Sequence, residues 1–242
     1  FKKQGIKVFT SAQFQSAEVA DGQVKVIVRV GEETREFTAE KLLVAVGRGA
    51  YTTGLGLENT RVELDRGYVK IDDHMRTAEP NVYAIGDVIP TPWLAHVASA
   101  EGILAVETIA GKDPRPINYD RVPGCTYCQP EVASIGLTEA KARERGYDVQ
   151  IGKFSLPVLA KTQIVGATEG LVKIVSDKKY DEVLGVHIIG PSATELIVEG
   201  GAALQLEATV AEMINMIHAH PTVSEGLHEA FEDAHGMVIH GA

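Results

Sequence analysis

Polar and apolar residues alternate without interruption in "QVKVIVRV" at 23–30, which puts Val24, Val26, Val28 and Val30 on one side of an extended chain. "GEET" at 31–34 is a polar turn and "REFTA" at 35–39 resumes the alternation, so the stretch predicts a hairpin with one face in water. "KLLVAVG" at 41–47 and "NVYAIGD" at 81–87 are unbroken apolar runs closed by glycine, the pattern of short strands covered on both faces. "WLAHVASAEGILAVETIAG" at 93–111 predicts a helix stopped by Gly111. Its Ala95, Ala98, Gly102 and Ala105 share one face. A face that small admits either close packing on a sheet or the approach of a flat ligand.

"KDPRPINYDRVP" at 112–123 concentrates proline and is the best candidate for a domain boundary. Beyond it, "LTEAKARERG" predicts a short helix capped by Thr138 and stopped by Gly146. "KFSLPVL", "GLVKIVSD" and "VLGVHIIG" predict an antiparallel meander. The last third predicts helices, opened by the capping-box patterns Ser192-x-x-Glu195, Thr209-x-x-Glu212 and Thr222-x-x-Glu225.

Composition narrows the classes. The 242 residues are 45% hydrophobic and 23% charged, the make-up of a folded globular chain. A net charge of −10 argues against nucleic acid as a partner. The apolar runs are too short to span a bilayer, and "FKKQGIKVF" lacks the layout of a signal peptide. With no initiating methionine, the expectation is a chain that starts inside a longer protein. Two cysteines make no disulfide framework and suit a reducing compartment; the expectation is the cytoplasm, or the mitochondrial matrix if the source is eukaryotic.

Three groups of residues have candidate chemistry. His220 precedes Pro221, which biases it toward extended backbone at the mouth of the Thr222 helix and leaves the peptide open to the cis isomer. Glu225 is placed to orient the ring and stabilise an imidazolium. It is equally the glutamate of a capping box, so the residues alone leave both a general base and a plain turn open. Five of the eight histidines fall in the last 25 residues, and His228, Glu232 and His235 would share a helix face. "HEAFEDAH" lacks the second histidine four residues after His228, so no metal site is expected. Cys125 and Cys128, in "GCTYCQPE", predict two ordinary thiols on a strand or turn, since no helix N-terminus is near to lower a thiol pKa.

Six stretches, in order, resemble the flavin-dependent pyridine nucleotide–disulfide oxidoreductases, most closely the dihydrolipoamide dehydrogenases among them. They are "LLVAVGR" (42–48), "GLGLENTRVELDRGYVKID" (54–72), "MRTAEPNVYAIGDV" (75–88), "LAHVASAEG" (94–102), "PEVASIGLTEAKARERG" (130–146) and "HAHPTVSE" (218–225). Glutathione and mercuric reductases share the His-Pro-Thr feature, but the closing "MVIHGA" lacks the cysteine pair of the mercuric type. The resemblance implies that Asp87 contacts FAD and that Trp93, Leu94, Ala95 and His96 lie at the flavin. It places Gly47 and Phe14 near NAD, and makes His220 the catalytic base with Glu225 its partner. It further implies that the base serves the neighbouring subunit of a homodimer.

Parts of the family pattern are absent: both G-x-G-x-x-G nucleotide fingerprints, and the redox pair of cysteines separated by four residues. "GRGAYTTG" also departs from the usual run, so no role is carried to Arg48. The implied fold class is α/β and α+β: the C-terminal part of a flavoprotein with two dinucleotide-binding domains, then an interface domain of antiparallel sheet and helices. The implied division is 1–48, the tail of the NAD domain; 49–118, the end of the FAD and central region; and 119–242, the interface domain. FAD and NAD are expected in the full-length parent and not in this chain alone, which is expected to be inactive by itself. Implied partners are a second copy, the missing N-terminal half, and lipoyl-bearing proteins of 2-oxo-acid or glycine-cleavage complexes. The alternatives are a non-catalytic dimerisation fragment and a glutathione- or mercuric-reductase-like enzyme.

Overall fold

Ala12–Ala20 (β1), Gln23–Val30 (β2) and Glu33–Ala39 (β3) form an antiparallel sheet in that order. The computed structural model describes residues 1–167 and 169–240; the last two letters of "MVIHGA" lie outside them. Val30 pairs with Glu33, so the predicted hairpin forms around Gly31 and Glu32 alone, a tighter turn than "GEET" suggests. Strand β1 gives no clear alternation because its register slips between Phe14 and Ser16, and such a bulge breaks the period of two. No described residue of this unit, Phe1–Gly49, is fully buried.

"KLLVAVG" does not form the predicted strand. Residues 41–49 have no regular structure, and Leu43, Val44 and Val46 are exposed. A strand of this kind needs hydrogen-bonded neighbours and cover on both faces, and β1, β2 and β3 pair only with one another. Apolar composition alone does not make a strand.

The second unit, Ala50–Ala242, begins with a two-residue ladder of Leu64–Asp65 (β4) and Tyr68–Val69 (β5). "NVYAIGD" is also not a strand: Tyr83 makes an isolated bridge with Arg76, and a 3-10 turn follows at Gly86–Val88. Helix Ala95–Ile109 (α1) comes next, stopped at Gly111, whose φ of 73° is left-handed. Val69, Met75, Ala84, Ile89, Leu104 and Ala105 bury one another in a small core under α1. The proline-rich stretch lies inside this unit and is tied down by the bond from the Tyr119 hydroxyl to Glu101 and the Arg121–Glu207 ion pair.

Gly124–Thr126 (β6), Glu131–Gly136 (β7), Val149–Ser155 (β8), Leu171–Asp177 (β9) and Val183–Gly190 (β10) build a five-stranded sheet ordered β6-β7-β10-β9-β8. All its pairs are antiparallel, and β8, β9 and β10 are the predicted meander. Helix Glu139–Glu144 (α2) packs on one face; Ala160–Ile164 (α3) follows β8. Ala193–Gln205 (α4), Val210–Asn215 (α5) and Glu225–Ala234 (α6) supply the other face. In α6, Leu227, Ala230, Phe231 and Ala234 are buried at steps of three, one and three, the period of one helical face. Burying a side chain the size of Leu227 or Phe231 stabilises by about 1.5–3 kcal/mol, so α6 is held firmly on the sheet.

The predicted caps fare unevenly. Thr138 and Thr209 accept the backbone N–H groups of Lys141 and Glu212, as their patterns imply. Ser192 does not cap: its φ of 58° takes it out of the extended geometry a capping side chain uses. Glu131 of β7 does that work, accepting the Thr194 N–H at 3.0 Å and the Thr194 hydroxyl at 2.8 Å. At α6 the cap position falls on Ser224, and only half of the Thr222 box forms. No helix among the described residues is long and apolar enough to cross a membrane.

Candidate functional site

Helix α6 starts where the chain has just turned through Pro221, and the His220–Pro221 peptide is cis. Glu225 Oε2 accepts the Thr222 N–H at 2.8 Å, while Oε1 meets His220 Nδ1 at 2.8 Å. The Thr222 hydroxyl donates back to the Ala219 carbonyl at 2.7 Å, closing the turn. The capping and orienting roles of Glu225 are therefore not alternatives; each uses a different oxygen. An ionised carboxylate only accepts, so Nδ1 carries the hydrogen and a neutral ring has its lone pair on Nε2. The His220 side chain is 70% exposed, that of Glu225 only 23%. This is an imidazole held from behind and open in front.

Burial alone would raise the Glu225 pKa. The Thr222 N–H and the His220 ring outweigh it and hold the carboxyl below its ordinary range. Glu225 is thus an anion at neutral pH, able to stabilise an imidazolium on His220.

His218, two residues earlier, is unlike His220. Its side chain is 6% exposed, with Nε2 3.0 Å from Glu199 Oε1 on α4 and Nδ1 3.2 Å from the Met216 carbonyl. Sequence gives no sign of this pair, because Glu199 and His218 belong to elements whose packing is set by the sheet.

The second group lies around α1. Asp87 is exposed on the 3-10 turn, and Gly86 has a left-handed φ of 71° where a Cβ would stand 3.5 Å from that of Ala98. Gly102 faces Ile85 in the same way, so part of the small face is used for packing against this turn. Ala95 and His96 at the start of α1 stay exposed. His96 Nε2 donates to the Pro123 carbonyl at 3.0 Å, and Trp93 Nε1 donates to the Ile89 carbonyl at 3.1 Å. Leu94 is the cap residue, and its own side chain makes no capping bond to the N-terminal amides of α1. Asp87 and the segment 93–96 are thereby brought to one region.

The residue that sequence reasoning missed is Glu101. It is 0% exposed, and its carboxylate accepts the Gly86 N–H at 2.7 Å and the Tyr119 hydroxyl at 2.9 Å. Burial, then the Glu101 carboxylate, pushes the Tyr119 hydroxyl pKa up, keeping it a donor. The available signal was a lone acid on the inward side of a helix otherwise small and apolar.

Residues 122–231, which include the His220–Glu225 pair, match the dimerisation domain of the pyridine nucleotide-disulphide oxidoreductases, and residues 1–102 match the pyridine nucleotide-disulphide oxidoreductase domain. The chain belongs to this family. It is 44% identical over 241 residues to the dihydrolipoyl dehydrogenase of Bacillus subtilis, covering 99% of this chain and 51% of that protein. To the dihydrolipoyl dehydrogenase of Rhizobium etli it is 43% identical, covering 98% of this chain and 50% of the relative. The crystal structure of LpdA from Mycobacterium tuberculosis superposes with a TM-score of 0.87 at 27% identity, over 96% of this chain and 50% of that one. The chain spans about half the length of the curated relatives it matches.

The remaining candidates of this pyridine nucleotide-disulphide oxidoreductase chain lie elsewhere. Gly47, with a φ of 114°, and the exposed Phe14 on β1 are both in the first unit. Cys125 is on β6 and Cys128 in the turn after it, both free. Burial, then the nearby Glu131 and Glu195, raises the Cys125 pKa. The His228 face holds no metal arrangement among the described residues. Instead His228 pairs with Glu232 at 3.3 Å and His235 with Asp181 at 2.7 Å.

Proposed function

We propose that the chain is the C-terminal half of a dihydrolipoamide dehydrogenase, divided as 1–48, 49–118 and 119–242. The observation that carries this is the His220–Glu225 pair, with the carboxylate fixed at the helix mouth and Nε2 left as the basic nitrogen. Nε2 takes a proton from a lipoyl thiol, which at a pKa of about 8.5 is only slightly ionised near neutrality. The resulting thiolate attacks a disulfide in the part of the protein outside this chain. The second lipoyl thiol then displaces that sulfur, so the substrate leaves as a cyclic disulfide and the protein keeps a dithiol. Glu225 stabilises the imidazolium that holds the proton.

Around α1 the small exposed start of the helix, the left-handed Gly86 and the Asp87 carboxylate suit FAD, with Asp87 and the 93–96 segment as its contacts. FAD, when bound, supplies the electron path from the dithiol to NAD, for which Gly47 and Phe14 are the candidate contacts. Retention of either nucleotide by this chain alone is not expected, because the glycine loops that cradle diphosphates are absent from it. Free Cys125 and Cys128 suit a reducing compartment.

A homodimer completes the site, with His220 serving the other subunit. Ile217, beside the site and 95% exposed, is an apolar residue awaiting cover. In the full-length protein, His220→Gln is expected to slow dihydrolipoamide oxidation by roughly 10²–10⁴-fold, while NADH-driven reduction of an artificial acceptor continues. Equal loss of both, or of neither, rejects the assignment. Activity with glutathione disulfide in place of the lipoyl substrate points to a different reductase of the family. For the chain alone, a second reading is a dimerisation module without chemistry, favoured by the complete core of its five-stranded sheet, whereas "KLLVAVG" of the first unit is uncovered. A colourless dimer by light scattering supports that reading; stoichiometric bound flavin refutes it.

A further inference from the structure

His218 has both ring nitrogens on groups that only accept: Nδ1 on the Met216 carbonyl and Nε2 on the Glu199 carboxylate. A neutral imidazole has one N–H and one lone pair, and would set that lone pair against one of these oxygens. The arrangement therefore selects the imidazolium, with two charge-assisted or polar donors and little water around it. His228 of α6 stacks obliquely on the same ring at 5.2 Å, and Glu225 adds negative charge from the helix mouth. Glu199, Glu225, His228 and His220 are thus the titratable groups around it, and the acids are the ones that favour the charged ring.

We infer that His218 is a positioning residue for the His220–Glu225 pair: held between Glu199 on α4 and the Met216 carbonyl, it fixes the short chain from which His220 projects. After His220, Thr222 ties the turn to Ala219 and Glu225, and Val223 packs on the core; before it, His218 is the side chain that holds the run. Ile217, Ala219, His220 and Pro221 are all exposed, so the buried His218 side chain is the anchor within that run. An anchor two residues from the base limits how far its ring can swing from Glu225. Misplacing a base by an ångström is costly, since proton transfer needs heavy atoms about 2.6–3.2 Å apart.

The inference rests on the reading of His220 as the base, and one experiment separates the two. In the full-length, flavin-loaded protein, His218→Gln, Glu199→Gln and the double variant are compared with His220→Gln. Dihydrolipoamide oxidation and NADH-driven reduction of an artificial acceptor are measured side by side. Each single variant is expected to lower kcat for thiol oxidation about tenfold, with KM for the thiol and the NADH-driven reaction nearly unchanged. The double variant is expected to be no slower than the slower single one, because the pair acts as a unit. Unchanged kcat in His218→Gln beside a slow His220→Gln overturns this inference and leaves the base standing. Equal losses in both reactions, or additive losses, mark a merely structural role and also overturn it. If the variants fail to fold, nitrogen–proton correlation spectra of the unaltered protein at neutral pH decide: two protonated ring nitrogens on His218 support the inference, a neutral tautomer rejects it.

Discussion

Glu101 Oε2 accepts the Gly86 N–H at 2.7 Å, so a wholly buried acid on α1 fixes the turn that displays Asp87. Glu101→Ala removes the acceptor of two half-buried donors, Gly86 N–H and the Tyr119 hydroxyl, at a cost toward the lower end of the about 1–3 kcal/mol of a buried unpaired group. The expected outcome is a lower urea midpoint for the second unit and, in the full-length protein, weaker flavin retention on dialysis. Glu101→Gln, which keeps an acceptor oxygen, is expected to lose less of both. Equal effects from the two variants would contradict a role through these bonds.

Gly152 of β8 lies directly beneath α6. A Cβ there would run into the Ala230 carbonyl and stand 2.7 Å from the Ala234 amide. Backbone cannot yield as a flexible side chain does, so Gly152→Ala must lift the helix or bend the strand, at a cost of about 1–3 kcal/mol. Because α6 begins at Glu225, the same variant is expected to slow thiol oxidation while the NADH-driven reaction holds. Thermal melting and the two assays read these effects separately.

Cys125 and Cys128 are expected to be dispensable. The Cys125 thiol is raised above its usual pKa by burial and by Glu131 and Glu195, the reverse of an activated cysteine. Replacing both by serine is expected to leave dihydrolipoamide oxidation within about twofold, and Cys125 in the parent is expected to react slowly with a disulfide reagent at neutral pH. A hundredfold loss of rate, with fold and flavin intact, would show a redox role.

The His220–Glu225 and His218–Glu199 pairs respond to pH in opposite directions. Glu225 has its folded pKa lowered, so its contribution is present above the unfolded value of ~4.3 and fades as pH falls through the folded one. The Glu199 bond, against the opposing effect of burial, raises the His218 pKa. Its contribution is therefore full below ~6.5 and is lost as pH rises through the folded value. Glu199→Gln is expected to flatten the alkaline decline of the urea midpoint while leaving the acid side in place. A variant curve parallel to the parent's across the whole range would refute this.

Local pattern determined a good part of the molecule. The alternation in "QVKVIVRV" sufficed for a hairpin, and Thr138 and Thr209 for two caps, because each depends on residues within a few positions of one another. The His220–Glu225 bond was also legible, since five residues across a proline-fixed helix mouth leave the two side chains little choice. Tertiary structure decided what distance along the chain hides. "KLLVAVG" and "NVYAIGD" have strand composition but no strand, because a ladder is made by a neighbour and not by the run itself. Ser192 lost its capping role to Glu131, 61 positions earlier, and His218 gained an anchor in Glu199, 19 positions earlier, only because the sheet brings β7, α4 and the approach to α6 together. Glu101 likewise acquired its purpose from a turn 15 residues away. A buried polar group needs a partner wherever the fold supplies one, and the chain's local pattern does not say where that is.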